Sequence, residues 1–88
     1  MDDLEQQFKE AAANSKKLAK RPDDDTLLKI YALYKQASDG DVSGDRPGFF
    51  DFVGAAKFDA WAGLRGKGRI EAMQEYIDLI GRLRGQAG

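Results

Sequence analysis

The sequence predicts an all-α fold built from four helices. Three observations lead there. Apolar residues recur at helical spacing in four separate segments, Pro- and Gly-rich stretches divide those segments, and no cysteine is available to staple the 88 residues. Stability must then come from helices packing on one another. The length fits one domain over residues 1–88, with no internal repeat or low-complexity stretch.

The first helix is predicted from about Asp3 to Leu18, with Leu4, Phe8, Ala11, Ala12, Ser15 and Leu18 on one narrow stripe. Glu5, Lys9, Glu10, Lys16 and Lys17 make its polar face. Lys20-Arg21-Pro22 ends it, because the residue before proline is pushed out of the α region. Asp23-Asp24-Asp25 opens the second helix, where carboxylates cap free N–H groups and complement the dipole. A metal cluster is the alternative, but consecutive side chains diverge on a helix, which favours capping. Leu27, Ile30, Tyr34 and Ala37 then share a stripe, and Tyr31 and Lys35 share the ridge along one edge of it. That edge reads in two ways: a solvated margin of an amphipathic helix, or stacking and charge offered to a ligand.

A long connection follows, from Asp39-Gly40 through Arg46-Pro47-Gly48 to Phe52. Such a length in so small a chain is commonly functional or structurally tied down. Phe49, Phe50 and Phe52 predict that it folds back on the bundle, and parallel neighbouring helices would need an overhand link of this kind. The third helix is predicted from about Val53 to Leu64, with Ala56, Ala60 and Leu64 on one side and Phe58 and Trp61 close by. Lys57 stands one turn before Trp61, so its stem could lie across the indole. Gly66-Lys67-Gly68 breaks the chain. The fourth helix, about Arg69 to Arg84, carries the stripe Ile70, Met73, Tyr76, Ile77, Ile80 and Leu83. Gly68 has no hydroxyl to complete a capping box with Glu71, Gly81 weakens the interior, and Gly85 to Gly88 are expected to fray.

Composition narrows the function. Charge is nearly balanced, with 14 basic and 15 acidic residues, so the basic excess of a nucleic-acid module is missing. There is no histidine, and the serines Ser15, Ser38 and Ser43 have neither His nor Cys to activate them. Hydrolase chemistry is disfavoured and binding is favoured. No apolar run reaches the roughly 18 residues of a membrane span, and Met1-Asp2-Asp3 does not open a signal peptide. A soluble, cytoplasmic protein without stable membrane insertion is expected. Asp39 to Asp45 mimics the opening of a calcium loop, yet Phe50 stands where the bidentate glutamate belongs and Pro47 where the flanking helix should be under way, so no metal site is expected. Lys16, Lys35 and Lys57 lie on three predicted helices, each at the margin of an apolar stripe. With Tyr31 and Tyr76 they could line one pocket; taken singly, each would be a solvated surface lysine.

The chain resembles the acyl-CoA-binding protein family. The resemblance rests on Phe8 with Ala11-Ala12, on Tyr31-Ala32-Leu33-Tyr34-Lys35-Gln36-Ala37, and on Gly40-Asp41, Arg46-Pro47-Gly48 and Asp51-Phe52. Lys57-Phe58-Asp59-Ala60-Trp61 and Ala72-Met73 followed by Tyr76-Ile77 complete it. It implies a four-helix up-down-down-up bundle with the long overhand loop between helices 2 and 3. It also implies a monomeric carrier of medium- to long-chain fatty acyl-CoA, with no cofactor and no catalysis, that supplies acyl-CoA-using enzymes. By that resemblance Tyr31, Lys35 and Lys57 hold the adenine and 3′-phosphate, Tyr76 stands near the nucleotide, and Lys16 lies near the ligand. Ala32, Leu33 and Tyr34 belong to the ligand-binding run, while Ala12, Leu28 and Val53 border the groove. Two departures stand out: Val53 and Ala55 occupy positions where many members carry lysine. The first weakens the expected pyrophosphate contacts without implying a different ligand. Phe58 stands where tryptophan is common. A helical protein–protein adaptor is the main alternative, and a small thioesterase the third.

Overall fold

The computed structural model describes residues 3–85 and contains four α-helices: α1 (Asp3–Asn14), α2 (Asp24–Asp39), α3 (Phe52–Ala62) and α4 (Arg69–Arg84). The predicted α4 bounds match. The first helix ends earlier than its stripe predicts, at Asn14, and the chain tightens into a 3₁₀ turn over Ser15–Lys17 before reaching Pro22. The Ser15 hydroxyl donates back to the Ala12 carbonyl at 2.7 Å, the local bonding by which serine competes with the helical ladder. The third helix starts one residue earlier than predicted, at Phe52, and stops at Ala62, two residues short of Leu64.

The acidic run opens α2 by capping. Asp23 is the N-cap, and its carboxylate accepts from the Thr26 N–H at 2.8 Å; bonding from the Thr26 side chain, and next from its backbone, holds that carboxyl below its ordinary range. Asp51 caps α3 in the same way, accepting from the Gly54 N–H at 2.9 Å. A Cβ at position 54 would overlap that carboxylate, so glycine there is part of the cap. Gly68 begins α4 with no side-chain cap bond, as its missing hydroxyl predicts. Gly85 closes α4 with its N–H on the Gly81 carbonyl; the rest of the tail predicted to fray lies outside the described residues.

Helix direction follows from the contacts. The N-terminal turns of α2 and α3 meet around Leu27, Leu28, Phe52 and Val53, while their C-terminal ends meet where the Trp61 indole N–H donates to the Gly40 carbonyl at 2.8 Å. The two helices are parallel, and the overhand loop makes that possible. Arg69, at the start of α4, donates to the Ala37 and Ser38 carbonyls at the end of α2, so α4 runs antiparallel to α2. Leu83, near the end of α4, lies beside Lys20 and Thr26 at the junction of α1 and α2, which sets α1 parallel to α4. The order is up-down-down-up.

Two apolar clusters fill the bundle. Phe8 and Ala11 of α1, Leu33 and Ala37 of α2, and Ala72, Met73, Tyr76, Leu79 and Ile80 of α4 form the larger. Ala32, Val42 and Trp61 form the smaller, beneath the loop. The α4 stripe is off at one end: Ile70 is 64% exposed, and Leu79 takes the buried place that the stripe omits. The loop also departs from expectation. Phe49, Phe50 and Phe52 do not fold back; they are 82%, 89% and 76% exposed. Val42 is the loop's buried anchor, and Arg46 forks onto Asp59 of α3 through two bonds of 2.9 Å.

The C-terminal end of α2 is tied to everything around it. Gly40 reaches the closing conformation at φ 84°, where a side chain would be strained, and its N–H returns to the Gln36 carbonyl. The buried Gln36 amide donates to the Lys67 carbonyl at 2.8 Å and to Asp41 Oδ1 at 2.9 Å, and the Gly66 N–H reaches the same oxygen at 2.8 Å. Those bonds hold the Asp41 carboxyl below its ordinary range, backbone donation from Gly66 being the larger cause. Gln36→Leu would keep the volume, leave the Lys67 carbonyl without this donor and leave Asp41 Oδ1 with Gly66 alone. It is expected to cost about 1–3 kcal/mol in urea unfolding while leaving helix content at neutral pH unchanged; an unshifted midpoint would show the network to be dispensable.

Candidate functional site

The edge of α2 that the sequence left open faces α3. Tyr31 and Lys35 stand on successive turns and each meets a partner from α3. The Lys57 ammonium lies over the Tyr31 ring at 5.2 Å from its centroid, and the Lys35 ammonium lies over the Trp61 ring at 4.9 Å. The Lys57 ammonium thus meets Tyr31 of α2, and the Lys35 ammonium takes the face of the indole. The parallel packing of α2 and α3 explains the exchange, because it sets each lysine nearer an aromatic ring of the other helix.

Lys35 has a second partner. Asp39, one turn on, accepts from its ammonium at 2.6 Å, and that bond raises the lysine pKa, with partial burial opposing it. The ammonium is charged across the neutral range. Because its folded pKa is raised, the pair stabilises the fold below the lysine's ordinary value and loses that contribution only as alkaline pH passes through the raised value.

Beyond Lys57 a groove opens between the first turns of α2 and α3. Arg21, Asp24, Leu27, Leu28, Phe52, Val53, Ala56 and Lys57 line its volume of about 470 Å³, within the usual range for ligand clefts. Leu28 and Val53 are among its lining residues. Val53 is 66% exposed and Ala55 only 8%, so of the two lysine replacements the one at 53 bears on the open rim. Arg21, Leu27, Phe52 and Ala56 join the groove without having been singled out in the sequence. Leu27 lay on the stripe assigned to the core, and Arg21 looked like a helix terminator.

The other expected residues lie elsewhere. Tyr34, 40% exposed, stacks on Phe8 at 5.5 Å between centroids, and Tyr76 meets Phe8 edge-on at 5.2 Å. Tyr76 itself is 2% exposed, and burial pushes its hydroxyl pKa up, with a bond to the Ser15 hydroxyl opposing. It is a residue of the larger core cluster. Lys16 is exposed on the 3₁₀ turn next to Ser15 and belongs to neither lysine–aromatic pair. Ala12 packs on the larger core cluster and not in the α2–α3 groove. Ala32 and Leu33 are buried and line a second cleft, between α2, Leu64 and Lys67. Among the described residues, no three His, Cys, Asp or Glu side chains are grouped to hold a metal ion, and no helix is long and apolar enough to cross a membrane.

An apolar groove beside two lysine–aromatic pairs marks the α2–α3 face of this helical bundle. A family model described as Acyl CoA binding protein matches residues 5–80, and the chain belongs to that family. A homologue of acyl-CoA-binding protein from Drosophila melanogaster is 47% identical over 77 residues, covering 88% of this chain and 90% of its own. The acyl-CoA-binding protein of Brassica napus is 44% identical over 80 residues, covering 91% and 87%. In three dimensions the chain is similar to the crystal structure of acyl-CoA-binding protein 2 of Oryza sativa, with a TM-score of 0.91, 38% identity, and 96% and 93% of the two chains covered. The protein from Moniliophthora perniciosa gives a TM-score of 0.88 at 33% identity, covering 99% and 84%.

Asp39→Asn is expected to lower the Lys35 pKa, read by NMR titration of the lysine side chain, and to change stability by no more than about 0.5 kcal/mol. An unmoved titration would mean that Asp39 does not hold the ammonium.

Proposed function

We propose that this chain binds medium- to long-chain fatty acyl-CoA thioesters non-covalently and acts as a monomeric, cytoplasmic acyl-CoA carrier, residues 1–88 forming one binding unit. The observation that carries this reading is the placement of Lys57. Its side chain lines the apolar groove while its ammonium lies over the Tyr31 ring, so one residue joins an apolar trench to an aromatic and cationic end. Acyl-CoA has the same division, an alkyl chain at one end and a phosphorylated adenosine at the other.

In this reading Tyr31 supplies a flat partner for adenine, and Lys35 and Lys57 bind the 3′-phosphate. Each lysine–phosphate bond contributes roughly 1.5–3 kcal/mol, more than the cation–π contact of about 0.5–1 kcal/mol that it replaces at an exposed site. Asp39 yields Lys35 to the incoming phosphate. Leu27, Leu28, Phe52 and Ala56 receive the acyl chain, each buried CH₂ adding up to ~0.8 kcal/mol until the groove is full. Tyr34, stacked on Phe8 and backed by Tyr76, forms an aromatic wall beside the nucleotide, and Lys16 adds charge at its margin. Holding and releasing a thioester needs no nucleophile or proton transfer, which suits a chain without histidine or cysteine. Enzymes that consume acyl-CoA are the natural recipients.

Calorimetry should give tight binding of palmitoyl-CoA, much weaker binding of coenzyme A and almost none of free palmitate; equal, weak binding of all three would reject the proposal. Lys35→Ala and Tyr31→Ala should each weaken palmitoyl-CoA binding about tenfold or more with helicity retained. Val53→Lys should tighten it, because the groove rim gains a cation. Unchanged affinity in all three variants would move the site off the α2–α3 face.

A further inference from the structure

The loop before α3 ends in an apolar tip that the fold does not use. The Asp51 N–H donates to the Gly48 carbonyl at 3.0 Å, closing a β-turn with Phe49 and Phe50 at its two central positions. Their rings meet edge-on at 5.2 Å and are 82% and 89% exposed; Phe52 and Val53 follow at 76% and 66%. Four exposed apolar side chains in five residues, three of them rings of roughly 150–250 Å² each, make a patch of the size that marks an interaction surface. The tip is also held firmly. Arg46 forks onto Asp59, and Asp51 caps α3.

We propose that this tip docks reversibly on the surface of an uncharged, zwitterionic lipid bilayer and opens the groove towards it. Two observations select that occupant. The first is continuity: Phe52 and Val53 belong both to the exposed tip and to the lining of the groove. A bilayer seated on the tip would meet the groove mouth directly, so an alkyl chain could pass from one apolar phase to the other with little exposure to water. The second is charge. Between Gly40 and Phe52 the chain has a single cation, Arg46, which Asp59 neutralises, while Asp41, Asp45 and Asp51 lie in the same stretch. The turn itself has nothing to attract anionic headgroups or nucleic acid, and its carboxylates are repelled by them; of the two cations at the groove, Arg21 is paired with Asp24 and Lys57 lies over Tyr31. Apolar rings at the boundary of headgroup and acyl chain remain as the source of affinity. This inference rests on the reading that the groove takes the acyl chain.

The test is flotation of the full chain with phosphatidylcholine vesicles, for the natural sequence and for Phe49→Ser/Phe50→Ser, with palmitoyl-CoA affinity measured in parallel without vesicles. The natural chain should float with the vesicles, insensitively to salt. The double variant should lose at least fivefold of that partitioning while its circular dichroism and palmitoyl-CoA affinity stay unchanged. Failure of the natural chain to float, equal flotation of both, or flotation only with anionic vesicles and low salt would each overturn the docking proposal. So would a self-association seen by sedimentation and abolished in the variant, which would assign the tip to a second copy of the chain. Retained palmitoyl-CoA binding alongside any of these would leave the carrier reading standing; loss of that binding in the natural chain would count against the carrier itself.

Discussion

The end of α2 is where the bundle is made or lost. Two parallel helices cannot be joined by a tight turn, so α2 and α3 depend on something other than chain connectivity to hold their register. Gln36, Asp41, Gly40 and Trp61 supply it. The amide bridges to Lys67 and Asp41, the carboxylate collects Gly66, and the indole N–H fixes Gly40. Arg69 then binds the last carbonyls of α2 from α4. These bonds converge on one helix terminus, whose carbonyls would otherwise lack partners. On the same helix Lys35 stands about one turn and Tyr31 about two turns before this anchor.

The site itself is assembled from weak pairs. A lysine over an aromatic ring and a lysine beside an exposed aspartate are each worth about 1 kcal/mol or less. In the proposed site that is enough to hold an ammonium near its place and too little to resist a phosphate. The free protein thus pre-positions its cations without locking them. Neither ammonium is deeply buried, so no large desolvation penalty stands against the charged state.

Much of this was legible in the residues. Helix existence followed from period, and caps followed from chemistry: Asp23 opened α2 and Gly68 left α4 without a side-chain cap. In the sequence Lys16, Lys35 and Lys57 could line one pocket with Tyr31 and Tyr76; the fold brings Lys57 to Tyr31 and Lys35 to Trp61, while Lys16 and Tyr76 lie elsewhere. Pairing between helices was not legible, because the Lys57–Trp61 spacing describes one helix in isolation whereas the packed bundle lets Lys57 choose Tyr31. The phenylalanines misled for a related reason. Hydrophobicity argues for burial, but the Gly48–Asp51 turn decides where its central side chains point. Leu27 and Arg21 were hidden because a groove is made by two elements and neither segment alone announces it.

Trp61 joins these themes. Its N–H edge holds the end of α2, and its face carries the Lys35 ammonium. A phenylalanine there would keep an aromatic face for Lys35 and lose the donor to Gly40, whereas an aliphatic residue would lose both. Inherited variation at this position could therefore separate the two roles only through another aromatic ring, and an aliphatic replacement would release the helix end and the ammonium together.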